Sequence, residues 1–287
     1  MNEANKLEVL GLDIYKYPRT PHVESSRLQP GDEGYDQVPY AHYRGKHVVL
    51  EEKLDGGNCG VSFTGAGEML LQSRGHYLTG GGRERQFALF KQWCAAHEDW
   101  LIGRLEDRYV MYGEWLHKKH SVFYDSLPHY FAEFDVLDKH TGVFLSTAAR
   151  RELLADGPVL SVPVLYEGPA PERLKDLWEL VDLSLGRTLA WREVFERIVR
   201  QERLDLERAW KQCDKSNFAE GLYGKVEQGA ECVERFKLVR ADFVQAILDS
   251  DKHHAEQPFI PNQLHPAADI YAPRVTANWS VNRGGKA

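Results

Sequence analysis

Residues 51–60 read EEKLDGGNCG, with one lysine, Lys53, set between two glutamates and an Asp-Gly-Gly turn. Glu51, Glu52 and Asp55 flank it, and carboxylates at that range hold an ammonium charged. A nucleophilic lysine has to shed its proton, against an ordinary pKa near 10.4. Added positive charge, from other lysines or a divalent cation, disfavours the ammonium form. The nucleophile reading of Lys53 therefore demands further basic residues and metal-binding acids downstream. The chain carries both: Glu114 in YGEWL, Glu220 in EGLYGK, and the cations Lys225 and Lys237.

The flanks of this stretch read as strand. HVVLEEKL leads into it and CGVSFTG and EMLLQSRG follow; RYVMYGEWL, HYFAEFDVLD, GVFLS, GLYGKVEQ and ERFKLVR come later, alternating or β-branched and bounded by Gly or Asp. Between them, residues 82–108 carry Phe87, Phe90, Trp93, Cys94, Leu101 and Leu105 at helical spacing, and residues 172–213 place Val194, Phe195, Ile198, Leu206, Ala209 and Trp210 near one helical face. Helices grouped in blocks among antiparallel strands define an α+β fold. Residues 16–45 have an ordered-loop composition of Pro, Gly and Tyr, and the tail from Ala241 opens on an apolar helical stretch (Phe243, Val244, Ile247, Leu248) before turning Pro-rich and polar.

A chain of 287 residues, 43% hydrophobic and 28% charged, can bury a sizeable core. No run approaches the roughly 20 apolar residues of a membrane span, and the N-terminus lacks a basic region followed by an apolar one, so a soluble cytoplasmic protein is expected. Cys59, Cys94, Cys213 and Cys232 lack CxxC spacing, which reads as reduced thiols and not as a zinc site or disulfide framework. A net charge of −7 gives no global attraction to nucleic acid, so any such binding must come from local basic clusters.

Lys53-Leu54-Asp55-Gly56 resembles the Lys-x-Asp-Gly signature of the covalent nucleotidyltransferases, the ATP-dependent polynucleotide ligases and mRNA capping enzymes. The signature is short, but it is followed in family order by Ser73-Arg74-Gly75, Tyr112-Gly113-Glu114, Phe131-Ala132-Glu133-Phe134-Asp135, Glu220-Gly221-Leu222-Tyr223-Gly224-Lys225 and Arg235-Phe236-Lys237. The whole set spans residues 51–237. Asn58 five residues after the lysine, and a lysine five residues after Glu220, are most similar to the RNA ligase 2-like branch.

The resemblance implies an ATP-grasp-like nucleotidyltransferase domain of antiparallel sheets flanked by helices over residues 1–240, with a helical insertion at about 170–215. Residues 241–287 would form a short helical C-terminal extension with no OB-fold. It implies ATP, with AMP as the covalent adduct, and Mg2+ or Mn2+. The chemistry would join 5′-phosphate and 3′-OH RNA ends in RNA repair: Lys53 takes AMP from ATP, AMP moves to the 5′-phosphate end, and a 3′-OH displaces it. Lys225 and Lys237 would neutralise charge growing on the α-phosphate. Glu114 and Glu220 would serve the metal, Glu114 also the ribose; Phe134 would stack on adenine and Glu52 accept its amino group. Asn58 and Arg74 would line the nucleotide and act on the RNA end during sealing.

One residue departs from the pattern, since Arg235 stands where many relatives carry a lysine; arginine keeps the charge but presents a rigid fork. DNA ligases and capping enzymes, which the tail disfavours, and a catalytically inactive RNA-binding relative remain the alternatives. No kinase or phosphatase motif is present, so damaged ends would need healing by a separate protein. Lys118 and Lys119, next to Tyr124, read either as a solvated loop or as contacts to RNA phosphates, and Arg83 and Arg85 share that ambiguity. The arginine-rich face of residues 187–213 reads as solvated surface, and His253 and His254 as structural.

Overall fold

The computed structural model describes residues 14–28, 37–243 and 258–282, and the side chains of residues 82 and 83 lie outside that description. Val244, Ile247 and Leu248 of the expected tail helix, His253, His254 and the Arg83 side chain therefore fall outside the described residues.

The β-like runs form strands β1 (His47–Glu52), β2 (Gly57–Phe63), β3 (Met69–Ser73), β4 (Tyr109–Trp115), β5 (Phe131–Asp138), β6 (Val143–Leu145), β9 (Gly221–Gln228) and β10 (Glu231–Val239). Two further strands, the two-residue β7 (Leu160–Ser161) and β8 (Val164–Pro169), are not apparent in the sequence because Pro163 interrupts their apolar run. The order is β3-β2-β4-β5-β6-β10-β9-β1-β8, antiparallel throughout except for a β5–β7 parallel pair. β1 and β2 are joined by only four residues, yet five strands separate them in the sheet. The sheet must therefore fold back on itself, and the Lys53–Gly56 connection crosses between its two halves. The bend lies at β6, which pairs with β5 only through Leu137 and Asp138 and with β10 only through Glu231 and Cys232. Beyond those pairs β5 and β10 diverge, leaving a cleft.

Each half buries its outer face. In the first, Val61, Met111, Trp115 and Phe131 pack on α1 (Ala88–Ala96) and α2 (Glu98–Leu105) through Phe90, Trp93, Leu101 and Leu105. In the second, Val48, Leu50, Leu222, Val226, Phe236 and Leu238 pack on Tyr40, Tyr43 and Leu177. α3 (Thr147–Leu153), capped by Ser146, follows β6. Helices α4 (Leu174–Trp178), α5 (Trp191–Gln201) and α6 (Leu206–Lys211) lie between β8 and β9; α5 and α6 build a small core of Trp191, Phe195, Ile198 and Ala209 against Phe123 and Ile260. All four cysteines are free and buried.

Among the described residues no barrel follows β10. Residues 258–282 run over the body as coil with one 3-10 turn. Asn262 donates to the Leu116 carbonyl at 2.7 Å and accepts from Tyr124 N–H at 2.9 Å, and Trp279 Nε1 donates to the Ser161 carbonyl at 2.8 Å. The Asn262 contacts clamp the loop that follows β4, and Trp279 ties the tail to β7. No helix among the described residues is long and apolar enough to cross a membrane.

Candidate active site

Strand alternation sets Glu51 and Lys53 on the concave side and Leu50 and Glu52 on the other. Lys53 N–H donates to the Gly221 carbonyl at 3.0 Å, which registers the β1 end on the start of β9. Its Nζ then meets buried Glu220 Oε2 at 2.7 Å. Asp55 folds the turn away: its Oδ2 accepts from Ser121 and Val122 N–H at 2.6 and 2.7 Å. Gly56 N–H donates to Glu114 Oε1 at 2.8 Å, and a Cβ at Gly56 would lie 2.6 Å from the Trp115 carbonyl, so only glycine fits. In YGE, a Cβ at Gly113 would lie 2.4 Å from the Phe131 ring, which explains that glycine. Asn58 stands opposite Glu114 in the β2–β4 ladder, and its Oδ1 is buried with no partner among the described residues.

Burial pulls the Lys53 pKa down, but Glu220, then Glu114 and Asp55, outweigh it and the amine is held above its ordinary value. Glu114 is pushed up to about 8, by burial foremost, against the pull of Lys53, with Asp55 and Glu220 adding to the rise. Glu114 and Glu220 beside one ammonium leave a carboxyl that holds its proton until positive charge arrives, a setting that suits a divalent cation. Among the described residues no three acidic, His or Cys side chains converge in metal-binding geometry. A cation here fits the magnesium pattern of one or two carboxylates completed by phosphate oxygens and water.

A pH test follows. The Glu114 pKa is raised on folding, so its contribution to stability is present at low pH and is lost as pH rises from the ordinary carboxylate range through about 8. Without metal, Glu114→Gln is expected to gain melting temperature over wild type progressively from pH 5 to about 9, and magnesium or manganese should stabilise wild type more than the variant. A difference that stays flat with pH would contradict this electrostatic account.

Deeper in the cleft, β5 carries a bulge: Tyr112 faces Asp135 and Gly113 faces Glu133, leaving Phe134 as the extra residue. Phe134 is half-buried, and its ring centroid lies 6.5 Å from that of Tyr223. Below it runs a buried ion network. Arg150, 1% exposed, donates to Glu51 at 2.8 Å and to Glu133 at 2.7 Å. Lys225 Nζ donates to Glu51 at 3.0 Å and to the Phe134 carbonyl, and Arg235 Nε donates to Asp135 at 2.8 Å.

The structure thus groups Lys53, Glu114, Glu220 and Asn58, sets Phe134 and Lys225 on the same concave side, and places Lys237 half-buried in register with Tyr223. Arg74 is exposed just beyond β3. Three expectations need correction. Glu52 does not face the cleft, because its carboxylate is spent on Ser184 Oγ at 2.6 Å and Leu185 N–H at 2.9 Å on the opposite side of β1. Lys118 and Lys119, expected either as a solvated loop or as contacts to RNA phosphates, are both buried, and Lys119 Nζ donates to the His120 and Gln212 carbonyls, tying the post-β4 loop to the helical block. Lys225 is committed to Glu51 and the Phe134 carbonyl. Sequence reading missed Arg150, because nothing distinguishes it from exposed Arg151 in AARREL. It also missed Tyr17, which sits in what read as loop.

A family model described as RNA ligase matches residues 46–239. The chain belongs to the RNA ligase family. Among solved structures it is similar to an RNA ligase mutant of Naegleria gruberi with ATP and Mn, at 17% identity over 81% of this chain and 64% of that one, TM-score 0.45. It is also similar to an archaeal ATP-dependent RNA ligase, at 15% identity over 80% of this chain and 49% of that one, TM-score 0.48. The chain therefore spans 64% and 49% of those two proteins. A search of curated proteins gives no match.

Proposed function

We propose that this chain is an ATP-dependent RNA ligase that joins a 3′-OH to a 5′-phosphate RNA end through AMP carried on Lys53. The observation that supports this most is the pairing of Lys53 Nζ with buried Glu220 at 2.7 Å, beside Glu114, at the mouth of a cleft lined by an aromatic pair. A divalent cation, magnesium or manganese, held by Glu114 and Glu220 with phosphate oxygens, would supply the positive charge that disfavours the Lys53 ammonium and neutralises the phosphates.

Lys53 gives up a proton to Glu220, its 2.7 Å neighbour, and the neutral amine attacks the α-phosphorus. The N–P bond forms as the bond to the bridging oxygen breaks, the attacking nitrogen releases its second proton to water, and pyrophosphate leaves. In the second step an oxygen of the RNA 5′-phosphate attacks the same phosphorus; the N–P bond breaks and the Lys53 nitrogen takes up two protons to return to the ammonium. In the third, the 3′-OH attacks the RNA phosphate and AMP leaves. Phe134 stacks on the base, and Lys237 stabilises charge on the phosphate. Lys225, through the Phe134 carbonyl, fixes the bulge that aims that ring. The helices between β8 and β9 are an insertion in this nucleotidyltransferase domain, and the residues after 240 its extension. The enzyme works in RNA repair in the cytoplasm, on ends healed by a separate kinase or phosphatase.

Incubation with α-phosphate-labelled ATP, magnesium and nicked RNA should give labelled protein and sealed product. No label on the protein would overturn the reading, and equal label from GTP would redirect it to capping chemistry.

Asn58 and Arg74 are assigned to orienting the RNA ends, an effect felt only when both ends are present. Asn58→Ala and Arg74→Ala should form the Lys53 adduct at near wild-type rate yet seal pre-adenylylated nicked RNA at least about tenfold more slowly, the loss of one oriented hydrogen bond. Single-turnover sealing at wild-type rate by both variants would remove them from the third step.

A further inference from the structure

Residues 14–23 form a strap across the cleft. On the first half of the sheet, the Tyr15 carbonyl accepts from Gln72 Nε2 at 2.8 Å and from the Tyr112 hydroxyl at 2.7 Å. On the second half, Lys237 N–H donates to the Pro21 carbonyl at 2.9 Å and Val23 N–H donates to the Lys237 carbonyl at 3.0 Å. Between these anchors the buried Tyr17 ring packs on Phe134 at 5.0 Å, Tyr112 at 5.2 Å and Phe144 at 5.9 Å. Its hydroxyl lies 2.6 Å from both Asp135 Oδ2 and the Tyr223 hydroxyl, and the latter lies 2.6 Å from Thr20 Oγ1.

The same Asp135 oxygen takes Arg235 Nε at 2.8 Å, and the guanidinium carbon lies over the Phe144 ring, 3.9 Å from its centroid. Arg235 is thus fixed on two sides, by the carboxylate and by the ring. Its side chain is 10% exposed, yet its buried Nη2 has no acceptor among the described residues. A buried charged donor left unpaired is costly, and a ligand atom that accepts from it would remove the cost. Phe134 and Tyr223, their ring centroids 6.5 Å apart, flank the same part of the cleft, with the Tyr17 ring against Phe134 and its hydroxyl on Tyr223.

The geometry points to Arg235 as a donor to an acceptor on the edge of the nucleotide base, held in place by Tyr17 acting as a positioning residue through Asp135. This rests on the proposed nucleotide site. It gives the arginine a task that its planar fork suits and a lysine would not perform: Nε is spent on Asp135 while Nη2 reaches the ligand. It also makes the N-terminal strap one wall of the base site.

The test uses the full chain and the initial rate of protein labelling by ATP, by 1-deaza-ATP and by 7-deaza-ATP. Arg235→Lys and Tyr17→Phe should each raise KM for ATP about tenfold, the worth of one charge-assisted hydrogen bond, with kcat nearly unchanged. The double variant should be no worse than the weaker single one, because both act on one contact. One of the two deaza analogues should cost wild type the same factor and cost Arg235→Lys nothing more. Unchanged KM in both variants, a fall in kcat alone, or equal penalties from both analogues in wild type and variant would overturn the proposal while wild type still labels. Absence of label on wild type would overturn it together with the nucleotide site itself.

Discussion

Lys53→Ala is expected to reduce labelling by α-phosphate-labelled ATP at least about a thousandfold, since no other side chain can replace a deleted nucleophile. The truncation has a second consequence that must be separated from the first. Glu220 is 1% exposed and loses its partner at 2.7 Å, so Lys53→Ala should also lower the melting temperature. Lys53→Arg resolves the two effects. An arginine can keep a cation beside Glu220 but cannot release its proton in the working pH range, so it should retain more of the stability and none of the labelling. Labelling of both variants at wild-type level would place the nucleophile elsewhere.

The largest stability effect is expected at Arg150. Its guanidinium, 1% exposed, bridges Glu51 on β1 and Glu133 on β5 and so ties the two halves of the sheet across the floor of the cleft. Burial pushes the Glu51 carboxyl up, against the pull of Lys225 and Arg150, and the carboxyl stays above its ordinary range. Arg150→Met leaves Glu133 and part of Glu51 uncompensated, at a cost of about 3–5 kcal/mol, as for other broken buried pairs. The double variant Arg150→Met/Glu133→Gln should recover a large part of that loss, because it removes the stranded charge along with its partner. Arg151→Met, one residue on and exposed, should stay within about 0.5 kcal/mol of wild type. Equal denaturant midpoints for Arg150→Met and Arg151→Met would show that the network does not hold the halves together.

Much of this architecture was legible in the sequence, for physical reasons that differ by element. The eight expected strands carry β-branched or alternating residues bounded by Gly or Asp, whereas β7 has only two residues and Pro163 separates it from β8. Lys53, Glu114 and Glu220 stand out because their neighbours are constrained too: Gly56 by the Trp115 carbonyl and Gly113 by the Phe131 ring. Glu52 misled because two adjacent glutamates look alike until strand alternation assigns one to each face. Lys118 and Lys119 misled because a Lys-Lys pair reads as exposed, to solvent or to RNA phosphates, while here the carbonyls of His120 and of Gln212 from the helical block meet the Lys119 ammonium in the interior. Tyr17 and Arg150 gave no signal at all, since their roles exist only once the sheet has folded back and brought β1, β5 and β10 to one cleft.

The central claim is that AMP on Lys53 is an intermediate and not a side product. Wild-type protein labelled with α-phosphate-labelled ATP, freed of nucleotide and mixed with nicked RNA bearing a 5′-phosphate and magnesium but no further ATP, tests it in one turnover. The account predicts that label leaves Lys53, appears transiently on the RNA 5′ end, and is released as AMP as the nick is sealed. Label that remains on the protein while RNA is present, or sealing that proceeds with no label ever reaching the RNA, would contradict it.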